Sequence, residues 1–287
     1  MRAGRSWPRL ELNGGSSVSD RRAQTRRGFG LLLKEWRRVR RKSQLTLALE
    51  GEVSPRHLSF VESGRSVPSR DMVQTLAEAL DVPLRDRNAL LVAAGYAPLY
   101  AERALESVDL IQVRRALTRL LEHQEPYPAV VLDPQWNVLE TNRAAPRLFS
   151  HFVDLAALPE PLNLLRSIFD PAGLRPWIAN WDVVAQTLAH RVFREAVGGV
   201  PDPRVLSLLD ELRAYPGSPA PGLPTTAEEL PFHPVQFRKG SLSLSFFSMV
   251  TTVGAPHDIT AQELRIETFF PSDDETERFA RTRLAGG

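Results

Sequence analysis

Across residues 29–41 the apolar residues Leu32, Leu33, Trp36 and Val39 recur at the spacing of one helix face, with Lys34, Arg37, Arg38, Arg40 and Arg41 on the other. The pattern predicts a first, strongly basic helix. Ser43 is placed to cap a second helix barely two turns long, in which Leu45, Ala48 and Leu49 turn inward before Gly51 breaks it. Ser54 caps a third, with Pro55 at the first position, where a missing N–H costs nothing, and Leu58 and Val61 as its buried pair. Ser69 starts a fourth, with Met72, Val73, Leu76, Ala77 and Leu80 inward, and Pro83 opens a fifth that ends at Gly95. Five short helices thus occupy residues 28–100. Residues 1–27, rich in Arg, Ser and Gly without apolar periodicity, read as a flexible basic arm.

After a connection over residues 101–107 the pattern changes. A helical stretch carrying Val108, Ile111, Ala116, Leu120 and Leu121 stops at Pro126 and Pro128. Residues 129–132 and 136–141, separated by Asp133-Pro134, then predict a β-hairpin, and Asn142 caps a short helix through Leu148 and Phe149. Residues 161–213 are helical in pattern, and proline and glycine punctuate 214–224. Three strands follow at 232–238, 241–250 and 263–270, ahead of a terminal helix from Asp274. Two strands, a helical insert and three strands predict a five-stranded antiparallel sheet with helices on one face, over residues 108–283.

Composition narrows the function classes. The 287 residues are 43% hydrophobic and 24% charged, which suits two globular domains and excludes a disordered or fibrous chain. With no cysteine, disulfides, thiolate nucleophiles, iron–sulfur clusters and Cys-ligated zinc are excluded. No apolar run approaches the roughly 18 residues of a membrane span, and the first twenty residues lack the apolar core of a secretory signal. A soluble, cytoplasmic protein without a membrane partner is expected. The formal charge of +2 conceals an asymmetry, because residues 1–100 hold 18 Lys/Arg against 10 Asp/Glu and the remainder 18 against 24. Between Arg21 and Arg70, 13 cations face only Glu35, Glu50, Glu52 and Glu62, a balance that suits either a phosphate backbone or a solvated helix face.

Two short helices joined by a tight turn, the second presenting small and basic residues, make the helix-turn-helix arrangement that fits a major groove. Gln44, Ala48, Val53, Ser54, Leu58, Ser59, Val61, Glu62, Gly64 and Pro68 stand as in the Cro/C1-type (XRE) family, which this segment resembles. The resemblance implies a five-helix, lambda-repressor-like domain that binds a double-stranded DNA operator, usually as a homodimer on a palindrome. One departure is the turn position before Val53, which the family usually gives to glycine. Glu52 stands there, with Gly51 one residue back, so a left-handed conformation would strain it. The expected DNA-binding residues are Gln44, toward a phosphate, Ser54, then Arg56, His57 and Ser59 on the exposed face of the third helix, and Arg65 beyond its end. The cations of the first helix are expected on phosphates, and Glu62 is expected to hold that helix's arginines. Phe60 is open between a thymine methyl, the sugar-phosphate wall and a neighbouring helix.

A hairpin feeding a helix at an asparagine is how PAS domains open. Residues 131–142 (VLDPQWNVLETN), 163–170 (NLLRSIFD), 175–181 (RPWIANW) and 269–274 (FFPSDD) resemble the MmyB-like ligand-binding domain found behind Cro/C1-type domains. The expected fold class is thus α + α/β, a helix-turn-helix domain followed by a PAS-like domain, and the resemblance implies a transcription regulator that accepts a small molecule. An unusual set of large apolar groups, Phe152, Leu164, Ile168, Phe169, Trp177, Trp181, Leu188 and Phe193, faces Val131, Trp136, Leu244, Phe246 and Met249 of the strands. They line either a pocket for a small hydrophobic ligand such as a fatty acid or an ordinary core. Arg175, Asn180, His190, Arg191 and Arg194 are candidates for a carboxylate head group, with Arg194 taken as the binding residue.

The six histidines show no metal-ligand spacing, and no phosphate loop, nucleophile elbow or kinase signature is present, so neither an enzyme nor a certain cofactor is expected. Three readings remain: a ligand-gated DNA-binding regulator, a regulator whose C-terminal half only dimerises, and an enzyme under DNA-binding control.

Overall fold

Three serines punctuate the first half of the chain in the computed structural model, which describes residues 18–197, 202–218, 232–254 and 256–285. The chain divides into two units, Met1–Leu99 and Tyr100–Gly287. In the first, α1 (Val18–Val39), α2 (Gln44–Glu50), α3 (Pro55–Glu62), α4 (Arg70–Ala79) and α5 (Leu84–Ala93) follow in order. The hydroxyls of Ser43, Ser54 and Ser69 accept hydrogen bonds from the N–H groups of Thr46, His57 and Met72, capping α2, α3 and α4 as their positions predict. Phe29, Leu33 and Trp36 of α1 are buried, as are Leu47, Ala48, Leu58, Val61 and Leu76.

Two expectations change here. α1 begins at Val18, so residues 18–27 of the expected arm are helical, while residues 1–17 lie outside the described residues. On α2 the inward pair is Leu47 and Ala48, whereas Leu45 and Leu49 are 58% and 70% exposed. A seven-residue helix has room for one inward turn, and the apolar spacing alone fits two choices.

The α2–α3 turn shows why glycine is displaced. Glu52 has φ +50°, the left-handed conformation anticipated for it. Gly51 has φ −89° and so does not need glycine's backbone freedom. A Cβ there would stand 3.0 Å from Leu76 Cδ2 and 3.1 Å from the Leu47 carbonyl oxygen, so glycine serves close approach to α4.

The second unit holds a five-stranded antiparallel sheet in the order β2-β1-β5-β4-β3, from β1 (Ala129–Leu132), β2 (Val138–Thr141), β3 (Val235–Lys239), β4 (Leu242–Thr252) and β5 (Arg265–Pro271). Between β2 and β3 come α7 (Ala144–Ser150), α8 (Leu164–Phe169), α9 (Trp181–Val197) and α10 (Pro203–Ala214). Val130 and Leu132 on one sheet face pack with this insert. The other face is also covered: Leu117 and Leu121 of α6 (Ile111–Gln124) pack on Ala129, Val131 and Ile266. Helices therefore lie on both faces, not one, because successive β1 residues are all buried. The inward residues of α6 are Leu117 and Leu121, while Val108 just before it is 82% exposed.

Residues 101–107, read from sequence as a connection, are held on the second unit. Ile259 N–H donates to the Ala101 carbonyl at 2.9 Å, and Arg103 pairs with Asp109 and Asp258 at 2.7 and 3.0 Å. Ile259 opens α11 (Ile259–Glu263). After β5, α12 (Asp274–Phe279) is tied to the sheet's start by the Tyr127 hydroxyl, which donates to Glu277 at 2.6 Å. That hydrogen bond and the Arg281 guanidinium hold the Glu277 carboxyl below its ordinary range, and burial followed by the same bond pushes the Tyr127 phenol up. No helix among the described residues is long and apolar enough to cross a membrane.

Glu52→Gly is expected to stabilise the protein by about 0.5 to 1 kcal/mol, since relief of a left-handed penalty of ~1–2 kcal/mol outweighs glycine's added freedom of ~0.5–1 kcal/mol. Gly51→Ala should instead cost about 1 kcal/mol or more by overpacking Leu76. Thermal unfolding of the two variants checks both, and a less stable Glu52→Gly would mean that the turn carries no such strain.

Candidate functional site

The first candidate surface is the exposed side of α3. Leu58 and Val61 point inward, leaving Arg56, His57 and Ser59 exposed on the opposite side. Half-buried Phe60 resolves into a platform for two cations. Arg56 and Arg65 place their guanidinium carbons 5.5 and 5.9 Å from its ring centroid, so the ring splints both side chains. Among the described residues no carboxylate pairs with Arg56 or Arg65, and both charges remain exposed. Ser54 is exposed too, with its hydroxyl engaged as the cap of α3 by the His57 N–H at 3.1 Å.

This surface is fixed by one buried carboxylate. Glu62, its side chain only 4% exposed, accepts from Arg37 Nε at 2.7 Å, Arg37 Nη2 at 3.1 Å and Gln44 Nε2 at 2.6 Å. One acid at the end of α3 thereby ties α1 to the first residue of α2. Gln44, expected on a phosphate, has one amide N–H committed to Glu62, which leaves the second for a phosphate oxygen. The first helix is also less free than its charge suggests: Arg37 is held by Glu62, Arg38 by Glu35 at 3.1 Å, and Arg40 by the Leu80 carbonyl at 2.8 Å.

In the second unit, α7, α8, the connection between them, β1 and β2 line a partly open cavity of about 150 Å³. Val130, Val138, Ala145, Phe149, Leu164 and Leu174 form much of its wall. Asn142 positions the α7 side: its Oδ1 accepts from the N–H groups of Ala129 and Ala145 at 3.0 and 3.1 Å, and its Nδ2 donates to the Tyr127 carbonyl at 2.7 Å. Asn163 does the same for α8, accepting from Arg166 N–H and donating to the Gln135 carbonyl. The polar lining is limited to Thr141 and Ser167, and the Ser167 hydroxyl donates to the Asn163 carbonyl at 2.9 Å. No cation lines this space.

Leu164 is the one expected ligand-contacting residue on that wall. Trp136, at φ +66°, is buried under the Arg191 guanidinium, with its indole N–H donating to Glu195 at 3.3 Å. Phe152 stacks on Phe237 at 5.0 Å, and Phe169 meets Trp181 edge to face at 5.1 Å. Trp181 lies beneath Arg175, and Trp177 beneath Lys239. Ile168 and Leu188 bridge the two core clusters, and Phe246 is fully buried in one of them. Met249 is 57% exposed, on the sheet face away from the insert, so it does not face the aromatic insert. Of the head-group candidates, Arg194 is exposed, His190 is half-buried, and Asn180 bonds the β3 backbone. Arg175 donates to the Pro216 carbonyl, and Arg191 pairs with Glu195 and Glu267.

Sequence reasoning missed most of the cavity wall, which comes from the hairpin, α7 and the α7–α8 connection, with Val153, Leu155, Leu158 and Leu162 from the last. The signal in the hairpin and α7 was the run Ala144-Ala145-Pro146 beside Val138, a gap in volume among large side chains. No cluster of three or more His, Asp or Glu groups among the described residues could hold a metal ion.

Comparison with known families places both units. A helix-turn-helix family model matches residues 33–86. The model for the MmyB-like transcription regulator ligand binding domain matches residues 113–282, more than half of the chain. No curated protein matches the chain. Among solved structures, the crystal structure of the clp gene regulator ClgR from Corynebacterium glutamicum is 26% identical over 36% of this chain and 95% of its own, with a TM-score of 0.22. The structure of an RNA-binding Light-Oxygen-Voltage receptor is 13% identical over 95% of this chain and 68% of its own, with a TM-score of 0.28. Scores this low carry no argument about this chain.

Replacing Glu62 by alanine should lower stability by about 3 kcal/mol, because it leaves the largely buried Arg37 without its counter-charge and unties α2. Denaturant unfolding measures the loss; a change below about 1 kcal/mol would place Glu62 among ordinary surface pairs.

Proposed function

The chain belongs to the MmyB-like transcription regulator ligand binding domain family and is a DNA-binding transcription regulator with a ligand-binding domain, and from that premise we propose that its ligand is a small hydrophobic molecule held in the cavity between β1–β2 and α7–α8. The observation that carries this reading is the cavity's wall, apolar apart from two hydroxyl-bearing residues and without a cation. Such a wall suits an apolar body or the tail of a longer molecule such as a fatty acid, whose carboxylate would stay outside it. A volume of about 150 Å³ is near that of a benzene-sized cavity and below the ~300 Å³ of ordinary ligand pockets. A longer tail therefore requires the cavity to widen.

The regulator acts in this reading as a cytoplasmic homodimer on operator DNA. Arg56 reads a guanine edge, Arg65 meets phosphate, and His57 and Ser59 lie beside them on the recognition face. Both matched families are those of transcription regulators, and catalysis has no place in the proposal. A second reading has its own observation. The insert's large aromatics fill the core, as expected of a second unit that only dimerises.

Two experiments separate these. Ala145 is buried on the cavity wall, so Ala145→Leu should fill the space. Fatty acids of increasing chain length should raise the melting temperature of the wild type, by the equivalent of about 2.7 kcal/mol at a hundred times Kd, and leave Ala145→Leu unmoved. Equal shifts in both proteins would remove the ligand from this cavity, and no shift in either would favour the dimerisation reading. Arg56→Ala should weaken operator binding by about 1 to 3 kcal/mol and relax preference at one base pair; unchanged affinity in a gel-shift titration would take Arg56 off the reading face.

A further inference from the structure

The outward side of α6 carries charge of which, among the described residues, only Glu125 is paired within the second unit. Val108, Ile111, Arg115, Thr118, Glu122 and Glu125 succeed one another by three or four residues, which places them on one stripe running from the turn before α6 to its C-cap. Val108 and Ile111 are 82% and 39% exposed, and Arg115, Thr118 and Glu122 are exposed with them. Two recesses of about 390 and 400 Å³ run along this stripe and share Thr118 and Glu122.

The charges are sorted by sign. Arg114, Arg115 and Arg119 occupy the N-terminal part of the stripe and its flank, and Glu122 and Glu125 the C-terminal part, with Glu140 of β2 and the cation Arg143 beside them. This order opposes the helix dipole, which favours anions at the start of a helix and cations at its end. Arg114, Arg115, Arg119 and Glu122 form no ion pair among the described residues, whereas Glu125 is held through Oε1 by the Arg143 N–H at 2.7 Å and the Arg143 guanidinium at 3.8 Å, with only its buried Oε2 lacking a hydrogen-bond partner. Glu125 apart, a pattern that opposes its own helix dipole and finds no counter-charge among the described residues fits a charge-complementary partner.

We propose that this face of α6 binds the same face of a second copy of the chain, antiparallel about a two-fold axis through Thr118. The proposal rests on the homodimer reading and adds where the two copies meet. In such a pair Arg115 stands three residues from the axis and Glu122 four, about 4.5 and 6 Å along the helix. Each Arg115 therefore meets the Glu122 of the other copy, twice over, as an isologous contact requires. Thr118 is small enough for close approach at the axis, and the antiparallel order sets each helix dipole against the other. Ile111 and Glu125, each seven residues from the axis, then stand opposite one another across the seam.

The test is sedimentation equilibrium of the full chain and its charge variants. Arg115→Glu and Glu122→Arg should each weaken the dimer by about tenfold or more, because each places like charges together at two symmetric points. Combining them should restore the dimer to within about threefold of wild type, since the pair is reversed in place. Both substitutions bring α6 into line with its own dipole, so the fold should be kept, and circular dichroism checks this. A wild-type monomer at micromolar concentration would overturn the homodimer reading and this surface together. A wild-type dimer indifferent to both variants would overturn the surface alone, as would a loss of DNA affinity with an unaltered dimer.

Discussion

Helices of six to eight residues do not hold themselves together in water, because fixing the first turn costs more than their few hydrogen bonds return. α2, α3, α7 and α8 are all of this size, and they build the helix-turn-helix and part of the cavity wall. Each has its first N–H groups satisfied by a side chain, from Ser43, Ser54, Asn142 and Asn163 respectively. Three residues extend this local fixing into tertiary structure. Glu62 joins α3 to α1 and α2, Asn142 joins α7 to β1, and Asn163 joins α8 to the hairpin turn. The functional surfaces depend on these polar ties as much as on the apolar core beneath them.

The same economy explains what could be read from the chain. Capping residues carry their role in their identity and spacing, so the serines of the first unit and Asn142 mark helix starts directly. The five-helix order, the hairpin and the late strands were legible for a like reason, since turns and alternation are local. The strain at Glu52 was legible as well, because a left-handed turn position is a backbone requirement that any residue there must meet. The start of α1 was not, since residues 18–27 carry no apolar stripe for periodicity to register. Nor was the inward face of α2, where a helix of two turns leaves Leu45, Leu47, Ala48 and Leu49 competing for one buried patch.

The cavity was the least legible part. Large aromatics in a helical insert suggest either a cavity or its filling, and which of the two holds depends on how they meet. Here Phe152 meets Phe237, Phe169 meets Trp181, and Trp136 is shut beneath Arg191, so their volume is spent on one another. The space that remains lies where Ala145 and Val138 leave side-chain volume short. A cavity is a deficit, and composition reports only what is present. The charge asymmetry behaves likewise: it left a phosphate backbone and a solvated helix face both open, and Arg37, Arg38 and Arg40 are bound internally, leaving Arg56 and Arg65 on Phe60 as the splinted, exposed pair.

The central claim is that a DNA-binding regulator carries a small apolar molecule inside its second unit. Native mass spectrometry of the purified full chain, followed by denaturing extraction of whatever co-purifies, tests it most directly. The account predicts added mass on the native protein that is released on unfolding and identified as a fatty acid or a comparably apolar compound. A protein that is free of ligand and takes up none of the fatty acids offered to it would contradict the claim.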